Sequence, residues 1–174
     1  LDNSKRIDME LNMKSENING SIFSTYEFTN NSNYHYTQGN EKNLSDLLGN
    51  LDYVINNFSS NYNLRYDPHN DYMKKQNVSI SYENTIGKYG LSYLDQKSKT
   101  EDIIVSDNES INYIFESKKL FKYSKIAYFG LYDVKKSINT ESGFSYSYFD
   151  ECFGINLDFN RKSYSEEALK PQDI

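Results

Sequence analysis

The sequence has no tryptophan, one cysteine, two histidines and two prolines, and no apolar run near the ~20 residues that a membrane-spanning helix requires. With a polar mean hydropathy, that last absence excludes a helical membrane protein. It does not exclude a membrane barrel, in which only every second strand residue meets lipid and the average stays polar. The lone cysteine, Cys152, cannot form an internal disulfide, so any partner lies outside this chain. His35, His69 and Cys152 are too few and too scattered to ligate a metal, and no metal or cofactor is expected. A Gly-x-Ser-x-Gly elbow is missing. Asp67, His69 and Asn70 are the one cluster a nucleophile could use, yet a polar turn accounts for them equally well. No catalytic residue is expected, and the protein is not expected to be an enzyme. Net charge is −6 without clustered Lys and Arg, so no nucleic-acid partner is expected.

What is abundant is aromatic: 17 Tyr and 10 Phe, residue types that favour strands and polar–apolar interfaces. An AT-rich genome would also raise Tyr, together with Asn, Lys and Ile, but the Tyr placement is patterned. Ile7, Met9, Leu11 and Met13 alternate with Asp8, Glu10, Asn12 and Lys14. Phe58, Tyr62, Leu64 and Tyr66 oppose Ser59, Asn61, Asn63, Arg65 and Asp67, with Ser60 the weak member. Phe153, Ile155, Leu157 and Phe159 oppose Cys152, Gly154, Asn156, Asp158 and Asn160. Period two means strands with one apolar and one polar face.

Weaker copies recur at 18–28, 46–56, 73–83, 87–95, 108–116, 120–132 and 139–149. Together they predict about ten strands, each close to the ~9–11 residues that cross a bilayer when tilted. The connections read as alternately short (near 14–17, 56–57, 84–86, 117–119 and 149–151) and long (29–45, 67–72, 96–107, 133–138 and from 164). Outer-membrane barrels sort their loops in this way, tight turns inside and longer loops outside. Asn43–Leu48 carries a weak helix-start signal and is too short to rank above a loop, while Pro68 and Pro171 fall in predicted loops. The mixed charges of 95–109 read as a solvated loop; a divalent-ion bridge to anionic sugar phosphates is open, with nothing in the spacing to select it.

The expected fold is therefore all-β, an antiparallel up-and-down transmembrane β-barrel, partial, with residues 1–174 as one domain fragment. Its apolar set, Phe58, Tyr62, Leu64, Tyr66, Phe153, Ile155, Leu157 and Phe159, would face lipid. Asp8, Glu10, Glu27, Asp52, Arg65, Glu83, Glu116, Asn156 and Asp158 would face a wet lumen. A soluble barrel with an apolar interior would satisfy the same alternation with the faces exchanged. Lys125 is the exception, in step with Phe121, Tyr123, Ala127 and Phe129; it costs little near an interface, where it can snorkel, and a bulge that shifts the register would also explain it.

From about Ser45 onward the chain resembles the C-terminal region of the LptD family of Gram-negative bacteria, also called organic solvent tolerance protein. The resemblance rests on an ordered series: Ser45–Gly49, Ser60–Asp67, Gly90–Asp95, Phe149–Leu157, Asn160–Tyr164 and Leu169–Asp173. The most specific part is Asp150–Asp173, an acidic pair, a cysteine, an alternating strand ending in Arg-x-x-Tyr, and Lys-Pro-Gln-Asp. Residues 1–44 contribute alternation only.

The resemblance implies a role in assembling the outer membrane. The family's barrel receives lipopolysaccharide from a periplasmic LptA-like bridge, holds an LptE-like plug lipoprotein, and delivers its cargo into the outer leaflet among outer-membrane lipid. Sugar passes through the lumen and acyl chains leave between the first and last strands. Cys152 matches the family's C-terminal cysteine position, where a disulfide to an N-terminal segment forms; Glu151 stands where a second cysteine is common. An upstream signal and N-terminal domain, most of the barrel and a final strand after Ile174 are expected outside this segment. The alternatives are another outer-membrane barrel (porin, autotransporter or barrel hydrolase) and a soluble β-barrel binding an apolar ligand.

Overall fold

Ten strands follow one another along the chain in a computed structural model, which describes residues 5–28, 43–100, 103–118 and 123–163. They are β1 (Arg6–Lys14), β2 (Ile18–Glu27), β3 (Leu47–Ile55), β4 (Phe58–Asp67), β5 (Tyr72–Glu83), β6 (Gly87–Thr100), β7 (Ile103–Ser117), β8 (Ser124–Asp133), β9 (Ile138–Phe149) and β10 (Gly154–Lys162). Their order in the sheet is their order in the sequence, so the architecture is an antiparallel up-and-down meander with β1 and β10 as its edges. No helix occurs among the described residues.

The turns are closed by the residue types that the sequence places there. Asp67 Oδ1 accepts the amides of His69 (2.9 Å) and Asn70 (3.2 Å), and Asn84 Oδ1 those of Ile86 (2.9 Å) and Gly87 (3.0 Å). Asp133 Oδ1 takes the amide of Lys136 (2.9 Å), and Asp150 Oδ1 those of Cys152 (2.9 Å) and Phe153 (2.7 Å). A short Asx side chain bonding its own backbone two or three residues on is a ready-made chain reversal. In the two-residue turn 56–57, Asn56 takes a φ of 49°, a left-handed conformation that Asn tolerates.

The connections depart from the expected alternation of length. Residues 96–107, read as a long loop, are largely strand: β6 runs to Thr100 and β7 begins at Ile103. The connections at 68–71 and 134–137 are tight turns as well, so length does not separate the two ends of the sheet. Charge misled here. Lys97 and Lys99 alternate with Gln96 and Ser98 as strand residues do, but without an apolar member the period is invisible to a hydropathy pattern.

The chain divides into two compact units, Leu1–Ile80 with Tyr93–Asn108, and Ser81–Ser92 with Glu109–Ile174. In the first, register gathers like with like. Leu11, Ile22, Gly49 and Leu64 lie in one row across β1–β4, and the next row is Asn12, Ser21, Asn50 and Asn63. In the second, Phe115, Tyr128, Phe144 and Phe159 form a row across β7–β10. Tyr89 continues it at 5.0 Å from the Phe115 ring, and Tyr82 stacks on Tyr89 at 6.4 Å.

Burial is inverted relative to a water-soluble sheet. Among the described residues no apolar side chain is buried, whereas Ser24, Thr25, Glu27, Asp46, Asp67, Asp95, Ser117 and Ser124 are. Leu11 is 70 % exposed and Phe159 63 %. A face of this kind left in water forfeits the main driving force for folding.

Candidate functional site

The residue set with the most chemistry is the polar face of β1–β4. Asp8 accepts from Thr25 Oγ1 at 2.9 Å. Asn50 donates to Asn63 at 2.8 Å, Asn63 to Asn61, and Asn61 to Asp52 at 2.5 Å. Asn50 starts the chain as a donor, Asn63 and Asn61 each donate and accept, and Asp52 ends it as an acceptor, so the ladder is directional. At the far end of β3 and β4 it meets a charged knot. Asp46, 3 % exposed, takes Arg65 Nε at 2.5 Å and Lys74 Nζ at 2.9 Å, and Lys74 also reaches Asp67 at 3.0 Å. Asp67 Oδ2 accepts from Asn70 as well, at 3.0 Å. The low local dielectric that makes two buried carboxylates costly is offset by two cations with direct hydrogen bonds.

Beside the knot lies an open groove of about 570 Å³, lined by Phe23, Leu48, Asn50, Asn63, Arg65 and Lys75 among others. Phe23 and Leu48 sit directly opposite each other and give an otherwise polar face a small apolar floor.

Of the residues expected to line a lumen, Asp8, Glu10, Glu27, Asp52 and Arg65 share that one face of β1–β4 by register. Glu27 is buried and opposite Arg6; Asp8 and Glu10 are exposed. Glu116, Asn156 and Asp158 share the corresponding face of β7–β10, Glu116 opposite Ala127, Asn156 opposite Ser147 and Asp158 opposite Ser145. Glu83 pairs with Lys118 at 2.6 Å. The apolar set falls on the other faces: Phe58, Tyr62, Leu64 and Tyr66 stand opposite Ile55, Leu51, Gly49 and Leu47. Ile155, Leu157 and Phe159 stand opposite Tyr148, Tyr146 and Phe144, and Phe153, in the turn before β10, is exposed.

Lys125 is not on the apolar face. It pairs with Ser147, and Ala127 and Phe129 share its polar face opposite Ser145 and Gly143, while Ile126 and Tyr128 take the apolar side. No bulge is needed at Lys125; the register shift in β8 lies at Leu131/Tyr132. Phe129, an aromatic residue on the polar side, misled the period. Phe129 is accommodated because Gly143 leaves room for its ring.

His69 Nε2 bonds the Leu44 carbonyl oxygen at 2.7 Å and Asp67 is committed to its turn, the polar-turn arrangement rather than a nucleophile's helpers. No group of three metal-ligating side chains occurs among the described residues. Cys152 is a free, exposed thiol in the turn that Asp150 organises. The backbone N–H of Cys152, the Tyr148 hydroxyl and the Phe153 N–H hold the Asp150 carboxyl below its ordinary range. His35, Phe121, Tyr164, Pro171 and the Leu169–Asp173 motif lie outside the described residues.

Asp46 and Lys74 went unsingled in the sequence because their partners are 19 and 28 residues distant. The one signal was Ser45–Asp46, which resembles a helix start; Ser45 Oγ instead accepts the Thr25 amide at 2.8 Å.

No protein-family model and no curated protein matches this chain.

Proposed function

We propose that this chain is part of an outer-membrane β-barrel that delivers lipopolysaccharide to the outer leaflet, as its likeness to the LptD family implies. The observation that carries the membrane half of the proposal is the inverted burial: among the described residues the buried side chains are polar, and large apolar side chains are exposed on both units. Lipid is the solvent that rewards such a surface. The six-ring row from Tyr82 to Phe159 is the kind of aromatic surface found at membrane interfaces. The two edges, β1 and β10, present unpaired backbone groups that hydrocarbon does not tolerate, and further strands complete the barrel.

The delivery half rests on the C-terminal series around Cys152. In this mechanism the polar face hydrates the sugar during passage, its amide ladder offering alternating donors and acceptors. The acyl chains stay with the apolar surroundings and leave where two edge strands part. Neither step needs a covalent change in the cargo.

Folding of the full chain into phosphatidylcholine vesicles tests the first half. Protease-protected β-structure and heat-dependent gel mobility are expected; a soluble monomer that melts cooperatively without detergent would favour the soluble ligand-binding barrel instead. The second half is tested by Cys152→Ser in the protein that carries this segment. Loss of a disulfide-dependent mobility shift and less surface lipopolysaccharide are expected; unchanged mobility on non-reducing gels counts against it.

A further inference from the structure

We propose that side chains crossing over two glycines fasten β7–β10 into one body, so that none of the three seams between these strands opens on its own. The contacts all lie within one compact unit, and the inference does not depend on the membrane reading. A ladder of backbone hydrogen bonds joins only adjacent strands. A tie between strands two apart needs a side chain that passes over the strand between them, and glycine leaves the room. Gly130 of β8 and Gly143 of β9 each stand at such a crossing: a Cβ on Gly130 would fall on the Tyr113 ring, and one on Gly143 on the Phe129 ring.

On the polar face, Phe129, Gly143 and Asn160 form one row across β8, β9 and β10. The same Cβ on Gly143 would also meet Asn160 Oδ1, so a ring from β8 and an amide from β10 converge above β9. On the apolar face Tyr113 of β7 stands opposite Gly130, and its hydroxyl donates to Asn139 Oδ1 on β9 at 3.4 Å. That second tie depends on the bulge. The register shift at Leu131/Tyr132 leaves Thr140 unpaired and sets Asn139 opposite Tyr132, which turns Asn139 to the face that Tyr113 occupies. The bulge is itself held: Thr140 Oγ1 donates to the Leu131 carbonyl at 3.1 Å, and the Thr140 carbonyl accepts the Ser163 amide at 2.8 Å.

The two crossings sit at consecutive residues of β8 and on opposite faces of the sheet. Parting β7 from β8 uncovers Gly130 and breaks the Tyr113–Asn139 bond. Parting β9 from β10 separates Asn160 from Phe129. Parting β8 from β9 undoes both crossings at once. Each seam is therefore secured by its ladder and by at least one side chain that belongs to a strand beyond it. Side chains coupled across a shared neighbour open cooperatively, as one unit of local unfolding.

The test is a pair of double-mutant cycles on the full chain, read by denaturant unfolding, with hydrogen exchange resolved strand by strand. F129L and N160A lie on strands that share no ladder, yet the double variant should depart about fivefold in unfolding constant from the product of the singles. Y113F and N139A, milder changes that keep the ring over Gly130, should depart about threefold. In the unaltered chain the ladder amides of β7–β10 should exchange with one common dependence on denaturant. In F129L/N160A those of β10 should separate from the rest and exchange about tenfold faster. Additivity in both cycles, or β10 already exchanging apart from β7–β9 in the unaltered chain, overturns the fastening. The cycles read the same way in micelles and in water, so failure of the membrane reading has no bearing on them.

Discussion

The polar faces of β1–β4 and β7–β10 obey the same alternation and are built on different principles. On β1–β4 the side chains are amides and carboxylates long enough to reach one another, and they form a bonded ladder ending on Asp52 and, separately, the Asp46 knot. On β7–β10 the positions opposite Ala127 and Phe129 are Ser145 and Gly143, too small to reach across, and Phe129 lies over Gly143. One face is tied together by hydrogen bonds; the other is thinned around Gly143 and Ser145 and carries one looser pair, Lys162 with Glu141 at 3.7 Å. Stability on the first face should therefore depend on individual polar groups, and on the second it should depend on space.

The largest effect expected is at the knot. Asp46→Ala removes the carboxylate that Arg65 and Lys74 share and should cost about 3 kcal/mol, at the low end for a broken buried pair because Arg65 is partly exposed and Lys74 keeps Asp67. Denaturant unfolding in micelles measures it; the matching Asp158→Ala on the other face, at an exposed site, should stay within about 0.5 kcal/mol. If both cost the same, the contrast between the faces is wrong.

Space is probed by Gly143→Val, which meets the Phe129 ring and should cost about 2 kcal/mol. Adding Phe129→Ala should recover part of that loss, since the clash goes with the ring; no recovery would assign the cost to backbone conformation. A smaller change comes from Asn63→Ala, which opens the ladder between Asn50 and Asn61 and should cost about 1 kcal/mol. Ser145→Ala should be close to neutral by the same measurement.

The smallest effect is confined to one turn. Because the folded-state pKa of Asp150 is lowered by the Cys152 and Phe153 amides and the Tyr148 hydroxyl, its contribution is full above the ordinary carboxylate range. It is lost as pH falls through the depressed value. Hydrogen exchange at the Cys152 and Phe153 amides should accelerate only there. Acceleration already at the ordinary Asp value would show that the carboxylate is not engaged.

Much of the fold was legible because period two is a local signal. Ile7–Met13 and Phe153–Phe159 declare their faces without any partner, and the Asx residues at 67, 84, 133 and 150 announce their turns. The signal failed where its assumptions did. Lys97 and Lys99 continue a strand with no apolar member to count, and Phe129 sits on a polar face because a glycine across the sheet makes room.

The amino-acid order alone determined the strands, their turns and the two-sidedness of each, since these depend on neighbours within a few residues. Tertiary structure alone decided which distant residues meet. Asp46 with Arg65 and Lys74, the orphan oxygen of Asp95 beside Gln76 and Lys97, and the ring row from Tyr82 to Phe159 all exist only through pairing register. A shift of one residue turns each side chain to the opposite face. That register is set jointly by every strand pair, which is why no single stretch of sequence displays it.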